Sequence, residues 1–204
     1  MPVLLRLDAS ARQEGSVSRQ LGDHLENRLR LAKPDLRILR RDLASLPHIT
    51  EATIAGYYTP TDQMTDALRT ATALSDELIG ELRSADYLLL TVPMYNFSIP
   101  STLKAWIDQI VRIGHTFRYD GQKFDGLVTG KQVFVTCAYG AAGYGPGQGF
   151  SAANFVEPYL RFLLTFLGMA DTHFFSAEMA ATGGDALASQ IEAAKAAIDT
   201  ALPA

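Results

Sequence analysis

Only one cysteine, Cys137, occurs in 204 residues. No internal disulfide can form, which suits a reducing cytoplasm. Positive charge is not in excess either: 18 lysines and arginines stand against 22 aspartates and glutamates. That balance argues against a nucleic-acid binder, which normally carries a basic patch. No apolar run approaches the roughly twenty residues of a membrane-spanning helix. The opening MPVLLRLDAS lacks the basic start and long apolar stretch of a secretion signal. Several chemical signatures are missing as well. Without GxGxxG or a P-loop, a Rossmann dinucleotide site or a triphosphate site is not expected. Without GxSxG, a serine hydrolase is disfavoured. His24, His48 and His173 do not fall into a ligand spacing such as HExxH, so no metal is expected.

What is present is a pattern of alternating elements. The apolar runs 2–10, 86–92 and 131–138 read as strands, the last two buried on both faces. Segments 35–43 and 171–179 read as further strands, the former nearer an edge. Between them, Leu21, Leu25 and Leu29 form a helical stripe over 16–32, with Ser16 or Ser18 as its cap. Helices are also predicted over 63–85, 100–114, 155–169 and 185–202. Residues 44–62 show no period and read as a long loop. Residues 115–130 read as a small hairpin around Asp120-Gly121. Asp23, Glu26, Arg28 and Arg30 look like a solvated helix face. Trp106 sits at core spacing. Cys137 reads as a packed strand residue rather than a nucleophile, and His115 as a partner for a helix C-terminus. Such alternation implies an α/β fold: a doubly wound, five-stranded parallel sheet with helices on both faces, in one domain spanning 1–204.

Sheets of this kind bind ligands where the strands end, at the switch point beside the first strand. Three loops fall there. Ser10 to Ser18 offers three hydroxyls, a glycine and an arginine around a helix start, which suits one phosphate or serves only to cap the helix. The stretch PMYNFSIPSTLKAW, residues 93–106, puts Met94, Tyr95, Asn96 and Phe97 at the mouth of a buried strand. It can wall a flat ring, or it can plug the sheet end. Third, Cys137-Ala-Tyr-Gly begins a glycine-rich loop, either a close approach to a ring system or a linker.

The serines of the first loop, PMYNFxIPxxLKxWID in the second and GHTFRY after the following helix resemble the FMN-dependent NADH-azoreductase family, also described as NADH:quinone reductases. The likeness runs over nearly the whole chain. It implies a flavodoxin-like fold, a homodimer, and FMN held non-covalently in each subunit. It assigns the phosphate to Ser10, Ser16, Val17 and Ser18, and the flavin ring to Met94, Tyr95, Asn96 and Phe97. Ala138, Tyr139 and Gly140 would complete the site. That third loop departs from the family, which often has Ser or Thr, then Arg or Ser, then two glycines. Altered acceptor preference is the expected consequence. NADH would be the donor, since 44–62 holds only His48 as a basic group for the extra phosphate of NADPH. Quinones, azo dyes and other flat electron-poor molecules would be the acceptors, in ping-pong order.

Overall fold

The computed structural model describes residues 1–203. Its main sheet is built from β1 (Val3–Asp8), β2 (Arg37–Asp42), β3 (Tyr87–Pro93), β6 (Gln132–Ala138) and β7 (Thr172–Ala177). The order is β2-β1-β3-β6-β7 and every pairing is parallel. β3 and β6 are buried along nearly their whole length, whereas β2, at the edge, is largely open.

Alternation along each strand sends side chains to two different cores. Leu5, Leu7, Leu88, Leu90, Val133 and Val135 face α3 (Asp66–Ser84), α4 (Ser101–Ile110) and α5 (Glu157–Leu167). Leu4, Leu89, Phe134 and Phe175 face α1 (Val17–Ala32) and α6 (Gly184–Ala201). Trp106 lies in the first core, 1% exposed. On the α1 side the strands also carry Arg6, Asp8, Thr91 and Thr136, all buried. Helix α1 can sit low over them because Gly22 has no side chain: a Cβ there would lie 2.5 Å from the Thr91 methyl.

That polar stripe overturns one expectation. Glu26 is not on a solvated face; it is 3% exposed. Its carboxylate accepts from Arg6 Nη1 at 3.1 Å and Arg30 Nε at 3.1 Å, and also pairs with Arg40. Arg6, itself buried, further bonds Asp8 and Asp23. Burial alone would lower the Arg6 pKa, but these carboxylates outweigh it and raise the value.

Residues 44–62 are also more ordered than their pattern implies. Glu51–Tyr58 forms α2, opened by a reciprocal capping box between Thr50 and Thr53, and Thr61–Gln63 makes one tight turn. The buried positions of α2 are Thr53 and Gly56, too small and polar to register as an apolar stripe. The hairpin over 115–130 is present as β4 (Phe117–Tyr119) against β5 (Phe124–Gly126).

Candidate functional site

The strand order reverses between β1 and β3, and a cleft of about 150 Å³ opens there. Ser10, Arg12, Gly15, Ser16 and Val17 form one side; Pro93, Met94 and Tyr95 form another; Ala138, Gly140, Ala180 and Ala181 close the third. A larger hollow of about 870 Å³ lies among Pro2, Asp86, Gly130 and Asp171, where the strands begin. Parallel sheets place ligands at the other edge, so the smaller cleft is the candidate.

The chain builds this cleft from interlocked loops. Ala11 N–H donates to the Tyr95 hydroxyl at 3.2 Å, joining the first loop to the second. Met94 N–H donates to Ala138 O at 2.9 Å, joining the second to the third. Ala180 and Ala181 N–H groups donate to Tyr139 and Gly140 carbonyls. The Glu178 carboxylate accepts from Gly143 N–H at 2.9 Å and Tyr144 N–H at 2.8 Å, holding the glycine-rich loop.

Helix α1 begins at this cleft without a cap. Ser16 occupies the N-cap position with extended backbone, yet its side chain makes no capping bond. Gly15 before it has φ +64°, a conformation other residues rarely hold. Helices α1 and α4, whose first residues follow the loops at the switch point, carry no carboxylate in their first turns. The other four all do: Glu51, Asp66, Glu157 and Asp185. Positive helix ends left free of acidic side chains favour an anion. Arg12 lines the cleft and makes no ion pair among the described residues. Arg19 is already engaged, by Ser10 O and Asp42 at 2.9 and 2.7 Å and by Asp8.

In the second loop, Tyr95 and Ser98 exchange backbone bonds at 3.0 and 3.1 Å around Asn96 and Phe97. Both central residues are left-handed, φ 48° and 71°. This is the primed geometry of a tight hairpin turn, normally filled by Asn or Gly. Asn tolerates it; a phenylalanine is strained there. Phe155 N–H donates to Phe97 O at 3.1 Å and helps hold it. Phe97 is 52% exposed, an aromatic face presented to solvent beside the cleft.

Of the residues expected from sequence, Ser10, Ser16, Val17, Met94, Tyr95, Ala138 and Gly140 line the cleft. Asn96 and Phe97 sit in the turn just beyond it. Ser18 is fully buried, its hydroxyl 3.3 Å from that of Ser16, so its side chain is shielded from the cleft. Tyr139 turns away. Its ring is 2% exposed in the core beside Tyr144, its hydroxyl next to the Asn154 amide. Strand alternation is the reason: Cys137 and Tyr139 share a face, and that face is the core. Arg12, Gly15 and Pro93 lie in the expected loops and also line the cleft, whereas Ala180 and Ala181 were not anticipated. The alanines follow β7, which ends at the same edge as the other strands, so extending the loop rule to the last strand would have found them.

Neither Cys137 nor His115 joins the site. Burial pushes the Cys137 thiol up to about 12. Native protein at pH 8 is therefore expected to react with iodoacetamide roughly a thousandfold more slowly than an exposed cysteine. Unfolding in urea should restore the ordinary rate, as mass spectrometry would read. His115 lies outside the cleft, and burial and then Arg112 lower its pKa.

A parallel sheet of this order, with an anion-favouring helix start and an aromatic turn at its switch point, defines a doubly wound ligand-binding protein of the flavodoxin type. A family model described as a flavodoxin-like fold matches residues 3–202. The chain belongs to the FMN-dependent NADH:quinone oxidoreductase family. It is 57% identical to the FMN-dependent NADH:quinone oxidoreductase of Xanthobacter autotrophicus over 173 residues, 84% of this chain and 83% of that one. It is 40% identical to the protein of that name from a Nostoc species, across 99% of both chains. In fold it is similar to the azoreductase of Bacillus anthracis Sterne, with TM-score 0.88 at 23% identity over 99% of each chain. The FMN complex of an FMN-dependent NADH-azoreductase from Bacillus anthracis Ames Ancestor superposes with TM-score 0.85 at 22% identity, covering 99% of this chain and 100% of that one.

Proposed function

We propose that this protein is an FMN-dependent oxidoreductase that passes two electrons from NADH to quinones, azo compounds and other flat, electron-poor acceptors. The observation that carries the reading is the uncapped start of α1, free of carboxylates and opening on the same cleft as the Tyr95–Ser98 turn. This donor set fits FMN. The first-turn N–H groups of α1, with Ser10, Ser16 and Arg12, would hold its phosphate. Met94, Tyr95, Asn96 and Phe97 would hold its ring, with Ala138 and Gly140 small enough to allow close approach. When bound, FMN supplies reversible two-electron redox chemistry that no side chain here offers.

The chain's own part is position and electrostatics. The N–H groups of Asn96 and Phe97 make no bond among the described residues. Left free by the left-handed turn, they can hold negative charge that develops on a ring beside them. Phe97 keeps one flank apolar, and its open face lets donor and acceptor occupy the same place in turn. Initial rates at several NADH levels should therefore give parallel double-reciprocal lines; intersecting lines would contradict a shared site. The purified protein should be yellow and release FMN on denaturation. Material that stays colourless after incubation with FMN would overturn the reading.

Two further features belong to it. Phe124, Phe150, Phe155 and Phe162 are each more than half exposed, and Phe124 and Phe162 both pack on Phe166 as one aromatic patch. A homodimer, one FMN per subunit, would cover them. A cytoplasmic location suits a chain whose single thiol is buried and unpaired. Among the described residues no helix is long and apolar enough to cross a membrane.

Phe97 gives a test with opposite signs. Phe97→Gly should raise stability by about 1 kcal/mol by releasing left-handed strain. It should also lower kcat/KM for a quinone by about tenfold, through loss of the aromatic contact. Thermal melts and steady-state rates on one preparation would check both; a loss of stability would show that the strain is not there.

A further inference from the structure

A third cavity, about 360 Å³, shares no residue with the cleft at the switch point. It lies between α2, the segment leading into α3, and the exit of α4. Arg112 stands in its wall with a side chain only 9% exposed. One arm of the guanidinium is used: Nη1 donates to Asp76 Oδ1 at 2.6 Å. The group lies 4.9 Å from the centre of the Tyr57 ring. Nε is buried and has no partner among the described residues, and Nη2 makes no bond among them. Buried guanidinium groups are normally satisfied on every arm, so this one is set up to bond something else.

The rest of the cavity supports that direction. Arg69, Thr72 and Asp76 recur at helical spacing on α3 and all line it. Arg69 makes no ion pair among the described residues. Asp76 is the one carboxylate in the lining, and Arg112 already holds it. Two guanidinium groups against one carboxylate leave the cavity net positive. His115, also in the lining, has its pKa lowered by burial first and then by Arg112. Pro60, Met64 and Ile113 give the cavity an apolar side.

We propose that this cavity binds a small oxyanion, the carboxylate or phosphate group of a metabolite-sized ligand, through Arg112 and Arg69. It is a site distinct from the one assigned to FMN. Arg112 would offer its free Nη2, Arg69 would close over the rim, and the apolar wall would take the body of the ligand.

The histidine ring protons provide a local probe. The chain has only four histidines, and among them His115 alone lines this cavity. Inorganic phosphate, and separately acetate, would be titrated into the protein at constant ionic strength in excess FMN, so that the α1 cleft is already filled. The His115 signal should move saturably while those of His24, His48 and His173 stay in place. Saturation with phosphate alone assigns a phosphoryl ligand, and with acetate alone a carboxylate. Arg69→Ala, which removes an exposed and unpaired side chain, should weaken binding by about tenfold or more. Arg112→Lys keeps the charge, loses the Nη2 donor and should weaken it similarly. A His115 response that only follows total salt overturns the proposal, as does parental affinity in Arg69→Ala. Should Arg112→Lys not fold, Arg69→Ala alone decides.

Discussion

Ser16→Asp is expected to stabilise the flavin-free protein and to weaken FMN binding by about a thousandfold. Both effects come from one carboxylate placed at the start of α1. Ser16 is the N-cap, with φ −81° and ψ 113°, but it makes no capping bond. An aspartate there would accept from a first-turn N–H and sit at the positive end of the helix, worth about 1 kcal/mol. The same carboxylate occupies the place assigned to the phosphate. Two unit charges about 4 Å apart at an effective dielectric of about 20 repel by about 4 kcal/mol. Affinity should therefore fall by about a thousandfold. Ser16→Ala, which adds no charge, should cost only about tenfold, the value of one hydrogen bond to a charged group. Flavin fluorescence titration measures the affinities, and thermal melts of the flavin-free forms measure the stabilities. Parental FMN affinity in Ser16→Asp would place the phosphate elsewhere and remove the basis of the proposed function.

The second large effect concerns the fold beneath that site. Glu26→Ala should destabilise the protein by about 3 kcal/mol, because removing one partner strands the charge of another in the core. Arg6 is 4% exposed and would keep only Asp8 and Asp23 as partners. Arg40 and Arg30 would lose their shared anchor. Domains of this kind are stable by only about 5–15 kcal/mol, so the urea midpoint should fall visibly. The exposed pair Lys195–Glu192 is the control: Glu192→Ala should change stability by less than about 1 kcal/mol. FMN affinity should also drop in Glu26→Ala. Asp8, in the same network, is the last residue of β1 and bonds Thr91 at 2.8 Å directly below the first loop. A midpoint equal to that of the parent would show that Glu26 is solvated after all.

Glu26 illustrates how far pattern reading reaches. Between Asp23 and Arg28 it looks like any charged helix position. Its burial follows from Arg6, on another element, whose alternation places it under α1. The strands were legible because β1, β3 and β6 are short, mostly apolar runs, a signal carried by each segment alone. Helix α2 was not, because it packs through Thr53 and Gly56 and owes its start to a capping box of two threonines. At the site, the aromatic turn was visible as residue types in an unusual place. That Asn96 and Phe97 are left-handed was not, and neither was the turning of Tyr139 into the core.

The sequence by itself determined the class of fold, the strand outlets that carry the site and most of the residues on its wall, since these depend on local periodicity and on side-chain chemistry within one segment. Tertiary structure alone decided which carboxylates are buried, which serine is shielded and that the loop after β7 closes the cleft. Those outcomes depend on contacts between residues far apart in the chain, and no single stretch contains them.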